Sequence, residues 1–504
     1  MLPGAGQHSP LVHVPVDPRS GATAMRRVEL SRPLRVAIEE GVIAPGDSVF
    51  DYGSGHGRDV EFLRQLGYSA SGWDPVHNPE ATISSAQIVH LGYVLNVIDE
   101  PRARATTLRN AWHLAERALV VAVRSTHELA SIARPTGHAD GFRTGAETFQ
   151  KLFGQLEARD YLTEQLTRDA IPLTVGTFVV FRDPDAEQAW IEHRQQLRGT
   201  VPRLRRTSQP RRSARDVAYE QHRPVLEPLE RFIARHGRLP QSDELTTANE
   251  LINVFGSIPR AFQVVKHVAQ NPWWEEATDS RRTELAVRFA LSRLRRRPRF
   301  SELPFAVQRD IKALWGSYKA ACSIADDLLF SIGDAEQLRA AARSIEVGKR
   351  TPDAVYVHVD YIDRLPAQLR VFIGAAEALS GRVSDATLVK VHLDKPRVSW
   401  LLYPGFDTDP HPALAESWVV DLRELDVRPV DYRTRSNPPV LHRKELFVGQ
   451  EHPRYETFKR LTAQEQRHGL LEDTSRIGTR DGWYERLQLE GWSLRGHRLV
   501  RRLL

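Results

Sequence analysis

Residues 48–59 read Ser-Val-Phe-Asp-Tyr-Gly-Ser-Gly-His-Gly-Arg-Asp, and this stretch decides the fold of the first part of the chain. A short apolar strand ends at Asp51, and glycines follow at positions 53, 55 and 57. A helical pattern with acidic residues in its first turn comes next. Glycines at a strand-to-helix turn let the backbone approach a ligand without a collision from Cβ atoms. The stretch therefore predicts a nucleotide-binding turn in an α/β domain.

A second acidic residue, Asp74, closes the strand-like segment that follows the turn. An acid at that place can accept hydrogen bonds from the two hydroxyls of a ribose. The spacing D-x-G-x-G-x-G differs from the G-x-G-x-x-G of NAD-binding folds. Asp51 inside the turn would repel a pyrophosphate but could bind the amino group of a cationic ligand. A nucleoside with an amino-acid tail and no phosphate, S-adenosylmethionine, fits this arrangement.

The turn resembles the first motif of class I methyltransferases. Residues 88–101 are similar to the fourth strand and following loop of that family, residues 119–123 to its fifth strand, and residues 177–181 to its seventh. The stretch between Asp74 and Ile88 is too short for a helix and a third strand, so the residue that contacts adenine has no clear counterpart. The predicted cofactor-binding residues are Asp51, Tyr52, Gly53, Ser54, Gly55, Gly57 and Asp74.

The methyl acceptor is harder to predict from the sequence. In-line methyl transfer depends on placing the acceptor close to the methyl group. The resemblance puts the acceptor pocket after the fourth strand, so Tyr93 and Asn96 are the predicted catalytic residues. Either of them fits equally well as an interior polar residue.

Two known DNA chemistries do not match the sequence well. Methylation of cytosine C5 uses a cysteine nucleophile, but the single cysteine, Cys322, lies far away in a helical segment. Amino methylation usually uses (Asp/Asn)-Pro-Pro-(Tyr/Phe) after the fourth strand, where this chain reads Leu91-Gly92-Tyr93. The similar stretch 437–440, Asn-Pro-Pro-Val, comes much later in the chain and is interpreted as a turn.

The pattern of the whole chain predicts an α/β, Rossmann-like class I methyltransferase domain, then a helical domain, then a C-terminal α+β region. Strand-like and helical segments alternate in the first of these, which is typical of a mostly parallel sheet. The predicted boundaries are a flexible tail at 1–24, the methyltransferase domain at 25–197, an Arg-rich linker at 198–218, the helical and DNA-binding domain at 219–347, and the α+β domain at 348–504.

The composition sets broad limits on the class of protein. The 504 residues include 70 Lys and Arg against 64 Asp and Glu, 41% hydrophobic residues and one Cys. One cysteine excludes a disulfide framework and a Cys-cluster zinc site. There is no apolar run of membrane-spanning length and no signal-peptide pattern at the start. These features predict a soluble, cytoplasmic protein with no membrane partner.

Two Arg-rich segments make DNA a predicted partner. Residues 201–215 and 288–299 each contain six arginines and no acidic residue, and such segments suit phosphate contacts. A solvated surface is the alternative interpretation. Residues 232–261 also resemble the short repeats attached to homing endonucleases.

Polar residues of the third region match no metal-binding spacing, so no metal site is predicted. They are His358, Asp360, His392, Asp394, Asp407, Asp409 and His411.

Over nearly its full length the chain resembles the methyltransferase family associated with DNA phosphorothioation. The similar segments are residues 30–34, 48–59, 72–75, 91–98, 369–379, 390–410, 437–447 and 476–483. This resemblance implies a bacterial S-adenosylmethionine-dependent methyltransferase that acts on or near DNA, with proteins of a phosphorothioation system as partners. The alternatives are a non-catalytic DNA-binding accessory protein with a vestigial methyltransferase fold, and a methyltransferase of RNA or small molecules.

Overall fold

The computed structural model describes residues 27–132, 135–145, 147–196, 214–268, 273–383 and 385–501. The predicted tail, 1–24, lies outside these ranges. So do residues 198–213 of the predicted linker, and with them nearly all of the Arg-rich segment 201–215. The chain divides into two compact units. The first comprises 1–196, 347–361 and 375–504, and the second comprises 197–346 and 362–374.

The N-terminal part of the first unit is built on a mixed sheet of six strands within the described residues. Its order is β2-β1-β3-β4-β9-β8. The first four strands run parallel, and β9 is antiparallel to both β4 and β8. The strands of this part, including three in a small separate sheet, are β1 (Ser48–Tyr52), β2 (Ser69–Trp73), β3 (Ala86–Gly92), β4 (Ala115–Ala122), β5 (Thr136–His138), β6 (Gly141–Arg143), β7 (Phe149–Gln150), β8 (Ile171–Thr174) and β9 (Thr177–Phe181).

Helices cover both faces of the large sheet. They are α1 (Arg32–Glu39), α2 (Arg58–Gln65), α3 (Pro101–Leu114), α4 (Gln155–Leu166) and α5 (Pro184–Gln196). Successive strand residues point to opposite faces, so Val49 and Ile88 join one apolar core while Phe50 and Val89 join the other. The predicted Rossmann-like fold is confirmed for this part of the chain.

The sheet ends at β2. Residues 75–85 form turns, an isolated bridge between Asp74 and Asn78, and irregular backbone, with no regular strand or helix. The short stretch between Asp74 and Ile88 therefore lacks the helix and the third strand that the class I methyltransferase pattern would place there. The side chain of Arg64 donates a hydrogen bond to the carbonyl of Ala70 in this terminal strand (2.8 Å).

The C-terminal part of the first unit is an antiparallel meander followed by helices. Its sheet runs in chain order from β10 (Lys349–Arg350) through β11 (Ala354–His358), β12 (Leu388–His392), β13 (Arg397–Leu402) and β14 (Glu416–Asp421) to β15 (Asp426–Asp431). Helix α14, numbered after the helices of the second unit, spans Ala367–Ser380, and its residues from 375 onward belong to the first unit. It is followed by α15 (Tyr455–Arg467), α16 (Thr474–Ile477) and α17 (Arg480–Leu489), and then by a hairpin of β16 (Trp492–Leu494) and β17 (Leu499–Arg501). This is the predicted α+β region.

Hydrogen bonds join the two parts of the first unit. The amide of Gln155 donates to the carbonyls of Leu379 and Ser380, and the backbone N–H of Arg382 donates to Leu173 (2.9 Å). The C-terminal region therefore packs on the Rossmann-like part.

The second unit is helical. Its helices within the described residues are α6 (Ala214–Gln221), α7 (Arg223–His236), α8 (Ala248–Phe255), α9 (Ile258–Val268), α10 (Trp273–Ser292), α11 (Phe305–Trp315), α12 (Tyr318–Ser331) and α13 (Ala335–Arg343). Leu226, Leu229 and Ile233, at helical spacing, are buried on one face of α7. No helix in the described residues is long and apolar enough to cross a bilayer.

Two helix pairs of this unit share the same connection. The pair α8–α9 is joined through Gly256 and Ser257, and the pair α11–α12 through Gly316 and Ser317. Each glycine has a positive φ, and each serine hydroxyl accepts a hydrogen bond from the backbone N–H three residues later. The aromatic-Gly-Ser pattern is thus a helix stop followed directly by a helix start.

Candidate active site

The glycine turn between β1 and α2 has the backbone that its sequence predicts. Gly53, Gly55 and Gly57 have φ values of 88°, 53° and 74°, a region that only glycine adopts readily. A Cβ atom on Gly53 would also overlap the side chain of Val94. Gly57 has no atom within 4 Å of where a Cβ would stand. The turn is thus tight against Val94 at its start and open at Gly57.

Asp74 lies at the carboxyl end of β2, and its carboxylate holds this turn in place. One oxygen accepts the backbone N–H of Gly55 (2.9 Å), and the other accepts those of Val76 (2.9 Å) and His77 (2.8 Å). A carboxylate offers about four acceptor positions. Three are used here, so Asp74 keeps capacity for about one further hydrogen bond, such as that from a ribose hydroxyl.

Asp51 pairs with a histidine that the sequence interpretation missed. Its Oδ1 lies 2.8 Å from Nδ1 of His90, its neighbour on β3, and both side chains are buried. Because a carboxylate only accepts, Nδ1 of His90 donates to Asp51. Nε2 of His90 is buried without a hydrogen-bond partner in the described residues. The two residues are far apart in the sequence, so only the strand register reveals this pair.

The remaining predicted cofactor-binding residues mostly make contacts that hold the glycine turn in place. The backbone N–H groups of Gly53 and Ser54 both donate to the carbonyl of Trp73, at 2.8 and 3.0 Å. Tyr52 is buried with its ring 5.2 Å from that of Trp73, and burial raises the pKa of its hydroxyl although a hydrogen bond with Asn110 opposes this. Tyr52 and the first two turn amides therefore stabilise the turn internally.

Tyr93 follows β3 in a strained conformation. Its φ is 64°, a left-handed value that is uncommon for a bulky residue and often marks a functional site. The Arg27 guanidinium carbon lies 5.6 Å from the centre of its ring, and burial raises the pKa of its hydroxyl. Tyr93 thus stands at the edge of the site that the glycine turn and Asp74 form.

Asn96, the other predicted catalytic residue, is fully buried. Its side-chain oxygen accepts the backbone N–H of Arg124 (3.0 Å), and its amide donates to the carbonyl of Lys151. The backbone carbonyl of Asn96 accepts the N–H of Lys151 as well (2.8 Å). These contacts join three segments of chain and give Asn96 a positioning role.

The segment before α1 also reaches the site. Asp59, in the first turn of α2, accepts the backbone N–H of Ser31 (2.8 Å) and lies 3.5 Å from Nε of Arg27. Arg27 therefore bridges Asp59 and Tyr93. His56 and His77, both exposed, contact each other beside Asp74, with ring centres 4.3 Å apart and ring planes tilted by 45°. Neither histidine nor Arg27 was singled out in the sequence.

The arginines of residues 288–299 are partly used inside the second unit. Arg297 pairs with Asp326 and Arg296 with Glu302, acids that lie outside the acid-free stretch. Arg297 also donates to the carbonyl of Phe289 (3.0 Å). The stretch therefore offers fewer open guanidinium groups than its sequence suggests.

Comparisons with known proteins give neither a family model nor a curated protein that matches the chain. Solved structures do match part of it. Against the 1,6-didemethyltoxoflavin-N1-methyltransferase of Burkholderia thailandensis the identity is 14%, over 30% of this chain and 75% of that chain, with a TM-score of 0.23. Against the magnesium protoporphyrin IX methyltransferase of Synechocystis the identity is also 14%, over 30% and 83%, with a TM-score of 0.22. Both of those structures contain S-adenosylhomocysteine. A sugar N-methyltransferase from Streptoalloteichus is 12% identical over 36% of this chain and 98% of that chain (TM-score 0.23).

Proposed function

We propose that the chain is an S-adenosylmethionine-dependent methyltransferase that acts on or near DNA. One observation carries the first part of this proposal. At the carboxyl ends of adjacent parallel strands, an ordered carboxylate, that of Asp74, stands beside a turn of three left-handed glycines. Nucleoside cofactors bind at this edge of α/β sheets.

Each residue of the site has a place in this proposal. Asp74 accepts a ribose hydroxyl, and Gly55 and Gly57 let the backbone approach the cofactor. Asp51 acts together with His90, so its effect on the methionine end comes through a hydrogen-bonded pair. Bound S-adenosylmethionine supplies an electrophilic methyl group. The chain's own contribution would be to place the acceptor's lone pair in line with that methyl group, and the acceptor's proton would pass to solvent.

The acceptor binds, in this proposal, beside Tyr93 and Arg27. Tyr93 is strained and partly exposed, and Arg27 brings a cation to its ring. A cation beside the acceptor pocket suits a substrate that carries phosphate groups. Elsewhere in the sequence, the Arg-rich segment 201–215 contains six arginines. DNA is thus a proposed partner, and the resemblance to the phosphorothioation-associated family makes the proteins of that system a second one.

Calorimetric titration with S-adenosylmethionine tests the cofactor. We expect one site per chain, and at least about tenfold weaker binding in Asp74→Ala, because a hydrogen bond to a charged group contributes about 1.5–3 kcal/mol. Glu80→Gln, an exposed acid from the segment that follows Asp74, is the matched control and should bind like the wild type. No binding by the wild-type protein, or equal binding by Asp74→Ala, would overturn the proposal.

Transfer of a labelled methyl group tests the acceptor. The full chain is incubated with labelled cofactor and an extract from cells that lack the protein, and DNA, RNA, protein and small molecules are then separated. Label in DNA that disappears with Asp74→Ala supports the proposal. Label in another pool, or cofactor binding with no transfer to any pool, contradicts DNA methylation.

A further inference from the structure

Three side chains of the C-terminal region meet far from the glycine turn in sequence. His411 lies between β13 and β14, His442 follows β15, and Glu465 lies on α15. One ligand atom from each lies within 4.8 Å of those of the other two. Glu465 is fully buried and His411 is 8% exposed. The sequence interpretation placed His411 among scattered polar residues and did not connect it with the other two.

The hydrogen bonds made by His411, His442 and Glu465 leave several of their lone pairs without a partner among the described residues. Nε2 of His442 lies 2.7 Å from the carbonyl of Ile477 and must donate to it, so Nδ1 carries the lone pair. Neither that Nδ1 nor Nδ1 of His411 has a hydrogen-bond partner among the described residues. Both carboxylate oxygens of Glu465 also lack a hydrogen bond of acceptable geometry, although Oε1 lies 2.9 Å from Nε2 of His411. A fully buried carboxylate without a hydrogen bond is costly and calls for an explanation.

We propose that His411, His442 and Glu465 bind a divalent transition-metal ion of the zinc type. Two imidazoles and one carboxylate are the protein ligands of many catalytic zinc sites, which keep a fourth position open. Iron(II) sites use the same donors, so the metal is assigned by class. The ion would take electron pairs from Nδ1 of His442, from a ring nitrogen of His411 and from the carboxylate of Glu465.

The distances are compatible with this assignment. Zinc bonds of about 2.0–2.2 Å hold neighbouring donors of a tetrahedral site roughly 3.3 Å apart. Nε2 of His411 already lies 2.9 Å from Oε1 of Glu465. The most distant pair of donor atoms, within 4.8 Å, needs a closure of at most about 1.5 Å. Small rotations of side chains supply such a movement.

The surroundings hold the two histidine rings in place. Trp483 lies against both, with ring centres 4.7 Å from those of His411 and His442. The carbonyl of Ile477 fixes the tautomer of His442, as outer-shell partners of metal ligands commonly do. The nearby ammonium of Lys444 is itself bound by the carbonyl of Phe406 (2.6 Å) and by Nε2 of His497 (3.1 Å). The Lys444 ammonium is therefore paired with groups other than His411, His442 and Glu465.

A cavity of about 240 Å³ borders the site on the side of His442. His442 and Ile477 line it, together with Lys349, Arg443 and neighbouring residues. A metal site needs an entry path, and in this proposal the ion enters from the side of His442. The two cationic side chains of the cavity suit a small anionic ligand.

Metal content and binding of the full-length protein test the proposal. After treatment with a chelator, we expect equilibrium dialysis to give one Zn²⁺ per chain, and Co²⁺ to give the visible absorption of a tetrahedral nitrogen and oxygen site. Glu465→Gln and His442→Ala should each bind Zn²⁺ at least about 100-fold more weakly, because even outer-shell changes cost about 10–100-fold. His392→Ala is the matched control, since that histidine lies in the same region and bonds to Ser399 (3.0 Å).

Three outcomes would overturn the proposal. The first is that the wild-type protein takes up neither Zn²⁺ nor Co²⁺. The second is that Glu465→Gln and His442→Ala both bind Zn²⁺ like the wild type. The third is that His392→Ala loses as much binding as these two variants do. A fold check accompanies each variant. Zn²⁺ should raise the Tm of the wild type and of His392→Ala, and should leave that of Glu465→Gln unchanged even though the metal-free variant melts normally.

Discussion

Within the described residues each of the two units contains one carboxylate with no exposed surface, and these acids have opposite surroundings. In the helical unit, Asp310 lies 2.7 Å from Nε of Arg238, 2.7 Å from Nη2 of Arg281 and 3.1 Å from Nδ1 of His236. In the other unit, Oε1 of Glu465 lies 2.9 Å from Nε2 of His411, but neither oxygen has a hydrogen bond of acceptable geometry in the part of the chain that the structure describes.

The difference separates a structural ion cluster from a candidate ligand site. Removing an ion from water costs several kcal/mol, and only close opposite charges and hydrogen bonds offset that cost. Burial alone would raise the pKa of Asp310, but the hydrogen bond from His236 and the charge of Arg281 lower it instead. The charge of Asp310 is therefore compensated by residues of the fold, whereas that of Glu465 is compensated, in our proposal, by a bound metal ion. Matched acid-to-amide substitutions test this contrast.

The largest expected effect is that of Asp310→Asn. It leaves Arg238 and Arg281 buried without their shared counter-ion, and removing one partner of a buried ion pair costs about 3–5 kcal/mol. We expect this loss in the free energy of unfolding of the helical unit, measured by native-state hydrogen exchange in α11. Asp327→Asn, an exposed acid in α12, should change it little. A loss below about 1 kcal/mol would contradict the view that the cluster stabilises the unit.

Glu465→Gln should have a smaller effect of the opposite sign on the metal-free protein. The substitution removes a buried charge without a hydrogen bond, and an unsatisfied buried group costs about 1–3 kcal/mol. Thermal unfolding in the presence of a chelator should show an equal or higher Tm than the wild type. If this variant loses as much stability as Asp310→Asn, Glu465 has structural partners and the contrast fails.

The smallest expected effect concerns pH. Burial alone would raise the pKa of Glu244, but hydrogen bonds from Arg238 and the backbone of Gln241 lower it from 4.5 to about 2. A carboxylate with a lowered pKa stabilises the fold above its unfolded pKa, and that stability is lost as the pH falls through the folded pKa. The wild type should therefore lose stability between pH 4.5 and about 2 more steeply than Glu244→Gln does. Parallel unfolding curves over that range would show that Glu244 adds nothing to the cluster.

Short sequence patterns predicted those features of the structure that depend only on residues close together in the sequence. The glycines at 53, 55 and 57 predicted a strand-to-helix turn, and Asp74 was found by its position after the next strand.

Contacts made through strand register and tertiary packing were not predictable in this way. His90 meets Asp51 only because β1 and β3 pair in one register. Glu465 meets His411 although two strands of the meander lie between them in the sequence. The acid-free stretch 288–299 suggested open arginines, but the acid that pairs with Arg297 comes from the following helix pair. Rules based on residue spacing within one segment cannot detect a contact whose second residue comes from another helix or strand.

The early end of the Rossmann-like sheet at β2 has a kinetic consequence. On that side only the irregular segment 75–85 follows Asp74, held by contacts such as the hydrogen bond from the Trp73 indole to the carbonyl of Pro79 (3.2 Å). Among the described residues, few cover a nucleoside bound there. On the proposed function, we therefore expect a high dissociation rate for the demethylated cofactor, so that product release does not limit methyl transfer.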